Sequence, residues 1–437
     1  MALSMVGACS SGTSTGTVTL GPGSVTRILS DVSLATFLDG PNAGFVLEGK
    51  VRQHDIDWLL SEVEVAGQRY AGCLVENWAG SGKGKRLDPS VQFALVAAEE
   101  AMREAGLAEK PGLSADRERL GVTVGTSRGC QAQWEVAQAA VAGGKRARPT
   151  LAATTTLAAL SGAVAQQAGA RGPGMTLSAT CASGALAISY AAEQLLLGHA
   201  DVMLAGGADA VRNGLVFPGM AGAGLLGSHD NAGRVCRPFE ASRNGLLLGE
   251  GAGFLVLERA SHAAARGARP LARLAGWGQT MHDGAGKTGL SEDGGALAGA
   301  MRRALTMAGI ESPAAGGREV GYVNAHGTGT PLNDRAEVAA LRTVFGDRLP
   351  PVSSTKPVTG HCLGATPVME AVVAMAALAG DWLPPQPECQ EVDPGLAPLD
   401  VPRETGLALG EGLAMSNSLG FWGYHASLIF GRVPPAG

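Results

Sequence analysis

Apolar and polar residues alternate regularly only from Pro89 onward. Residues 91–105 are Ala-rich, carry apolar side chains at helical spacing and precede Gly106, which predicts an amphipathic helix. The run 120–125 is short and apolar, as in a buried strand. Residues 1–70 are rich in Gly, Ser and Thr and show little periodicity, so the pattern predicts no clear element there.

The same alternation continues to near the end of the chain. Strands are predicted at 175–180, 202–206, 251–258, 320–324 and 427–430, and helices at 182–198, 294–309, 334–345 and 366–380. Strands that alternate with helices predict parallel or mixed sheets with helices on their faces, an α/β fold. A break near residues 259–270 predicts two α/β halves, 1–262 and 263–437.

Composition and charge exclude several functional classes. The 437 residues are 45% hydrophobic and 17% charged, as in a globular protein with a large core. The net charge is −5 and Lys and Arg are dispersed, so no nucleic-acid partner is expected. We expect no membrane span, since by this pattern no apolar run reaches the roughly 18–20 residues that one needs. Seven cysteines without a CxxC pair predict no metal site, no disulfide framework and a cytoplasmic location.

Cys181 lies between a predicted strand that ends at Thr180 and a predicted helix that opens at Ala182. Unpaired N–H groups at a helix N-terminus favour a thiolate over a thiol. The neighbours Ser183 and Gly184 are small enough to let a substrate carbonyl approach. Cys181 is therefore a candidate nucleophile, and a buried structural cysteine is the alternative.

His326 follows the predicted strand 320–324 in the polar sequence NAHGTGTPLND. A histidine at such a strand end can donate its Nε2–H to a developing oxyanion. Thr328 and Thr330 offer hydroxyls for a polar ligand. The alternative is a loop histidine that is hydrogen-bonded to Asp334.

His361 follows Lys356 in the sequence STKPVTGH, and Glu370 lies in the apolar helix that comes next. The apolar surroundings predict that these three polar groups cluster at the buried N-terminal end of that helix. Buried polar groups require partners, and a Lys with a Glu can orient and neutralise such a site. A solvated lysine and a capping histidine are the alternative.

A candidate nucleophilic cysteine and two histidines on Gly-rich loops predict thioester chemistry. From about Pro89 to the C-terminus the chain closely resembles the elongating β-ketoacyl-ACP synthases of the thiolase superfamily, particularly the synthase II type and its type II polyketide relatives. The resemblance rests on blocks in the family's order: GTSRG 125–129, TCASG 180–184, GGAD 206–209, CRPFEASRNGLLLGEGAG 236–253, NAHGTGTPLND 324–334, STKPVTGH 354–361 and NSLGFWGYHASLIF 417–430.

The resemblance implies a thiolase-like fold of two similar α/β halves, with mixed five-stranded sheets layered with helices in the order αβαβα. It also implies roles for individual residues. Cys181 would accept the acyl group, and His326 and His361 would support malonyl decarboxylation and stabilise the enolate. Lys356 and Glu370 would form an ion pair near the second histidine. The amides of Cys181 and Phe421 would form the oxyanion hole, and Thr328 and Thr330 would contact the phosphopantetheine arm.

The implied reaction is a decarboxylative Claisen condensation with malonyl-ACP, in polyketide or specialised fatty-acid biosynthesis. No bound cofactor is expected, because phosphopantetheine arrives on the acyl carrier protein. A homodimer or a heterodimer with a chain-length factor is expected. The alternatives are a non-elongating acyltransferase, an inactive chain-length-factor-type subunit, which typically lacks the cysteine, and a thiolase, which usually has a second cysteine in place of one histidine.

Three segments depart from the family. The family's Gly-Phe-Gly-Gly-Thr-Asn loop carries Trp422, Tyr424 and His425 in place of smaller residues, which predicts altered gating or an unusual acyl substrate. Arg128 stands where relatives commonly have an apolar pocket residue, so it is a candidate for substrate binding, with a surface arginine as the alternative. The segment 280–289 also differs, and His282 is expected to be a solvated loop residue.

Overall fold

The computed structural model describes residues 87–107, 116–229, 234–282, 290–311 and 319–433, together with the backbone of the strands that precede residue 77. The strands are β1 Ala2–Val6, β2 Thr17–Leu20, β3 Ser24–Leu29, β4 Asp57–Val65, β5 Gln68–Glu76, β6 Leu120–Gly125, β7 Gly174–Leu177, β8 Val202–Asp209, β9 Leu248–Gly249, β10 Gly251–Glu258, β11 Arg273–Met281, β12 Val320–Asn324, β13 Val352–Ser353, β14 Leu413–Leu419 and β15 Tyr424–Gly431. The helices are α1 Pro89–Glu104, α2 Gln131–Ala142, α3 Leu151–Thr154, α4 Ala158–Ala168, α5 Ser183–Leu196, α6 Val216–Gly222, α7 Ala260–Ala265, α8 Gly295–Met307, α9 Pro331–Phe345, α10 Lys356–Thr359 and α11 Thr366–Gly380.

Two mixed sheets share one topology. Their strand orders are β1-β10-β8-β6-β7 and β11-β15-β14-β12-β13. In the first sheet the pairs β1/β10 and β10/β8 are antiparallel, and β6 is parallel to β8 and β7. The second sheet repeats this sequence of antiparallel and parallel pairs. The expected pair of similar α/β halves with mixed five-stranded sheets is therefore confirmed.

Helices separate and cover these sheets. Helices α1 and α4 pack on one face of the first sheet, and α5 and α11 lie between the two sheets. Helices α8 and α9 cover the outer face of the second sheet. Strands β6 and β8 are wholly buried, and apart from Thr123 and Asp209 their residues are apolar or glycine, as expected for parallel strands with both faces covered. The layer order is αβαβα, as the resemblance implies.

Two expectations from the sequence are wrong. The weak pattern before residue 70 predicts no element, but β1 to β4 lie there, and β2, β3, β4, β5 and β9 form a third sheet. One stretch, Leu363–Gly380, is long and apolar enough to cross a membrane, contrary to the expectation that no such run exists. It is 83% buried inside the fold, where α11 fills the space between the two main sheets, and a core helix passes the same test of length and composition.

Candidate active site

Cys181 lies in a sharp turn between β7 and α5. Thr180 has a φ of +51°, in the left-handed region that costs energy for a residue with a Cβ. The Ser183 hydroxyl holds the turn, because it accepts from the Ala179 amide at 2.8 Å and lies 2.6 Å from the Thr180 carbonyl oxygen. The turn places Cys181 just before α5, which begins at Ser183.

Burial controls the protonation of this thiol. Cys181 is 5% exposed and packs in an apolar cluster with Val211, Val216, Phe217, Met220, Leu246, Leu248 and Leu363. Burial raises the pKa of Cys181 to about 12, and the positive charges of Lys356 and Arg128 act in the opposite direction. Burial therefore opposes the thiolate that the position before the helix would favour, because desolvation outweighs the favourable charges.

The two candidate histidines meet in the interior of the protein. The rings of His326 and His361 are 5.1 Å apart between centroids and nearly perpendicular, at 84°. Lys356 Nζ lies 3.4 Å from His326 Nδ1 and also donates to the His326 carbonyl oxygen. Because an ammonium group can only donate, Nδ1 of His326 accepts and its Nε2 carries the proton. The Thr366 hydroxyl lies 3.1 Å from His361 Nδ1 and orients that ring.

Both imidazoles are uncharged. Burial and the charge of Lys356 hold the pKa of His326 and of His361 well below the usual range, and for His326 the neighbouring His361 and His425 add to the effect. Neutral imidazoles at neutral pH can donate N–H groups without releasing a proton. This is suited to stabilising an oxyanion rather than to general-acid catalysis.

Lys356 and Glu370 form a fully buried ion pair. The Lys356 Nζ to Glu370 Oε1 distance is 2.6 Å, and both side chains are inaccessible to solvent. Burial raises the pKa of Glu370 to about 7, while Lys356 acts to lower it. The structure thus brings Lys356, His361 and Glu370 together at the buried start of α11, and it excludes a solvated lysine.

Glu337, which the sequence analysis did not single out, and Asp334 hold the His326 loop. Glu337 accepts the amide protons of His326 and Gly327, each at 2.9 Å, and burial raises its pKa to about 7. Asp334 accepts from the Gly329 amide at 3.2 Å and pairs with Arg243 Nε at 3.2 Å. Asp334 thus has its own partners, and the alternative in which it satisfies the His326 side chain is not what the structure contains.

Asp209 joins the turn 126–128 to the loop that follows His361. Its carboxylate accepts from the amides of Ser127 and Arg128, each at 2.8 Å, from the Thr126 hydroxyl at 2.9 Å and from the Gly364 amide at 2.7 Å. Burial raises the pKa of Asp209 to about 6. The only sequence signal for this role is an acidic residue at the end of a wholly buried strand.

Arg128, Thr328 and Thr330 lie at the rim of this cluster. Arg128 is half-buried, and its Nε atom is buried without a hydrogen-bond partner. The hydroxyls of Thr328 and Thr330 are 2.9 Å apart; Thr328 is buried and Thr330 is half-buried.

The loop 420–425 contacts the Cys181 turn. Phe421 packs on the apolar cluster around Cys181, and the Thr180 hydroxyl donates to the Phe421 carbonyl oxygen at 3.4 Å. Trp422 has a φ of +62° and is 59% exposed. The His282 amide donates to the Gly423 carbonyl oxygen at 2.9 Å. The backbone of the half-buried His282 is thus bonded to this loop, so two of the departures from the family are in contact.

Comparison with known proteins identifies the family to which this chain is similar. The model of the β-ketoacyl synthase N-terminal domain matches residues 69–263, and that of the β-ketoacyl synthase C-terminal domain matches residues 271–390. The 3-oxoacyl-[acyl-carrier-protein] synthase 2 of Vibrio cholerae serotype O1 is 34% identical over 375 residues, which cover 84% of this chain and 88% of the relative.

Solved structures agree. The ishigamide ketosynthase/chain length factor has a TM-score of 0.75 at 32% identity and covers 84% of this chain and 89% of its own. A type II polyketide synthase acyl carrier protein in complex with its ketosynthase bound to the hexaketide gives a TM-score of 0.74 at 30% identity, with 83% and 88% covered.

Proposed function

Because this chain belongs to the β-ketoacyl synthase family, an acyltransferase family, we propose that Cys181, His326 and His361 carry out its condensation reaction. The reaction joins an acyl group on Cys181 to malonyl-ACP with loss of CO₂. The observation that supports it best is the convergence of one thiol and two neutral histidines in a buried site. We further propose that the half 1–262 carries the nucleophile and the half 263–437 carries both histidines.

The first step loads the enzyme. The Cys181 sulfur attacks the carbonyl carbon of an acyl thioester, the bond to the carrier sulfur breaks, and the released thiolate takes the proton of Cys181. The charges of Lys356 and Arg128 assist loss of that proton. The amides of Cys181 and Phe421 are the proposed oxyanion hole, and the Thr180 to Phe421 hydrogen bond keeps their two chain segments adjacent.

The second step forms the carbon–carbon bond. The malonyl group loses CO₂, and its electron pair passes to the thioester oxygen as an enolate. His326 donates its Nε2–H to that oxygen and His361 provides a second donor, while the buried charge of Lys356 favours the anion. The enolate carbon then attacks the Cys181 thioester, and the Cys181 thiolate leaves and takes up one proton. Glu370 keeps Lys356 in position throughout.

The proposed partner is an acyl carrier protein that supplies phosphopantetheine with the substrate. Thr328 and Thr330 are the proposed contacts of that arm. The exposed basic residues Lys145, Arg146 and Arg148 offer a surface for an acidic carrier protein. A structural relative, the polyketide ketosynthase described above, is in complex with such a carrier protein.

We also propose that the protein is a homodimer or pairs with a chain-length factor, as in the ishigamide relative. The edge strand β7 supports this, because it pairs only with β6 in the described chain and exposes Met175. Trp134 and Leu157 are also exposed apolar residues. The proposed location is the cytoplasm.

Dependence on malonyl-ACP tests the proposal. Wild-type protein given acyl-ACP and malonyl-ACP should release CO₂ and β-ketoacyl-ACP in equal amounts. His326→Ala and His361→Ala should still accept the acyl group but lose decarboxylation. Acyl transfer without CO₂ release by the wild type, either alone or with a chain-length factor, would favour the non-elongating acyltransferase instead.

A further inference from the structure

The turn 126–128 holds Arg128 at the junction of the segments that carry the thiol and His361. The Arg128 amide donates to Asp209 at 2.8 Å, and Asp209 also accepts from the Gly364 amide at 2.7 Å. The Thr126 carbonyl oxygen lies 3.1 Å from the Ser183 hydroxyl, which holds the Cys181 turn. The backbone of Arg128 is therefore fixed relative to the reacting sulfur.

The Arg128 side chain is charged and forms no ion pair or hydrogen bond with the residues that the structure describes. Its Nε atom is buried and has no hydrogen-bond acceptor. None of the ion pairs among the described residues includes Arg128. A buried guanidinium nitrogen without an acceptor destabilises the free protein. A ligand that supplies the acceptor removes this cost when it binds.

An apolar cluster packs around the thiol. The cluster around Cys181 consists of aliphatic and aromatic side chains, among them Val211, Phe217 and Met220. The charge of Arg128 nevertheless acts on the thiol, since it opposes the effect of burial on the Cys181 pKa. A hydrocarbon acyl chain would match the apolar residues and leave Arg128 unpaired, whereas a chain with an oxygen substituent would satisfy both.

We propose that Arg128 is a specificity-determining residue that selects acyl groups bearing an oxygen acceptor, a keto oxygen or a carboxylate, over hydrocarbon chains of equal length. This inference rests on the proposed function, because the acyl group is the one transferred to Cys181. The selection takes place when Cys181 attacks the thioester and the carrier thiol leaves with the proton. Arg128 binds the substituent oxygen and takes no part in that bond exchange.

A matched set of five-carbon thioesters of N-acetylcysteamine tests the proposal: valeryl, 3-oxovaleryl and glutaryl. Loading of Cys181 is followed by intact-protein mass spectrometry in wild type, Arg128→Met and the exposed control Arg348→Met. Each rate is divided by the rate of the same thioester with a free thiol, which removes intrinsic reactivity. Methionine keeps an apolar stem as long as the arginine side chain up to Nε, and it removes the charge. The backbone amide that Asp209 binds is unchanged.

We expect wild type and Arg348→Met to load one or both oxygen-bearing groups about tenfold or more faster than valeryl, as one charge-assisted hydrogen bond allows. Arg128→Met should lose that preference. Faster loading from the 3-oxovaleryl thioester identifies a keto oxygen as the group that Arg128 binds. Faster loading from the glutaryl thioester identifies a carboxylate. Equal loading of all three groups by wild type, or an unchanged ratio in Arg128→Met, would overturn the proposal.

A second probe needs no thioester. Alkylation of Cys181 by anionic iodoacetate is compared with alkylation by neutral iodoacetamide, with Cys181→Ala as the blank. The iodoacetate to iodoacetamide ratio should fall about tenfold in Arg128→Met, and an unchanged ratio would contradict the role of Arg128. If no thioester loads Cys181, the proposed function fails, and this ratio still decides the inference on Arg128.

Discussion

Lys356 Nζ lies 3.4 Å from Nδ1 of His326, and this contact determines which ring nitrogen of the histidine carries its proton. The lysine is held by Glu370 at 2.6 Å, in a region without solvent access. The ion pair therefore determines the tautomer of His326, in which Nε2 carries the proton on the side of the ring away from the pair. The following predictions test this arrangement and the segments around it.

Lys356→Met should destabilise the fold and impair decarboxylation more than loading. The change leaves the Glu370 carboxylate buried without its partner, which costs about 3–5 kcal/mol. The free energy of unfolding, from urea denaturation, checks this value. In the double variant Lys356→Met with Glu370→Gln, part of the stability should return while decarboxylation stays low. An unfolding free energy equal to that of wild type in the single variant would show that the pair does not stabilise the fold.

His361→Gln should make the stability of the protein less sensitive to acid. The pKa of His361 in the fold lies well below the value of 6.5 of an ordinary histidine, so below pH 6.5 the unfolded chain takes up a proton that the fold does not. The contribution of the neutral ring is present above pH 6.5 and is lost as the pH falls. Wild type should lose about 1.4 kcal/mol more than His361→Gln for each pH unit below that point. Equal losses in urea titrations at pH 7.5 and 5.5 would contradict a neutral buried ring.

Trp422→Gly should stabilise the loop 420–425 and change the acyl-chain preference. A residue with a Cβ costs about 1 kcal/mol at the φ of +62° that Trp422 adopts, and glycine does not. The unfolding free energy measures the first effect, and competition between acyl-ACPs of different length measures the second. Gly423→Ala is the matched control: its φ is +79° and a Cβ would lie 2.6 Å from the His282 carbonyl oxygen, so it should destabilise. If chain preference is unchanged in Trp422→Gly, Trp422 does not gate the site.

Asp209→Asn should destabilise the protein although it changes only one atom. All four groups that contact the carboxylate are donors, so an amide nitrogen would face at least one of them. An unsatisfied buried donor costs about 1–3 kcal/mol. The same variant should slow loading of Cys181, because the turn 126–128 and the Gly364 loop lose their common acceptor. Unfolding and loading rates equal to those of wild type would contradict the structural role of Asp209.

The sequence predicts those site residues that stand in a local pattern. Cys181, His326 and His361 each follow a predicted strand or precede a predicted helix, and the structure brings all three together. The sequence does not predict the roles of Asp209 and Glu337, because their partners are mainly backbone amides. One of these, Gly364, lies 155 residues away from Asp209 along the chain. No local pattern encodes such a contact.

The same limit applies to the fold. The bounds of β6, β10, β12 and α11 agree with the sequence pattern because these elements are largely buried and mainly apolar. The sequence pattern does not predict strand β11, which contains Gly276 and Gly278. In the structure a Cβ at either position would lie within 2.3 Å of a backbone oxygen of α8, so both glycines permit close packing of that helix.

The most direct test of the central claim is intact-protein mass spectrometry on wild type and Cys181→Ala, first with acyl-ACP and then with malonyl-ACP. The account predicts that the acyl mass appears only on wild type and leaves it as β-ketoacyl-ACP when malonyl-ACP is added. Acyl mass on Cys181→Ala, or no acyl mass on wild type from any carrier protein, would contradict the assignment of Cys181 as the nucleophile of an active synthase.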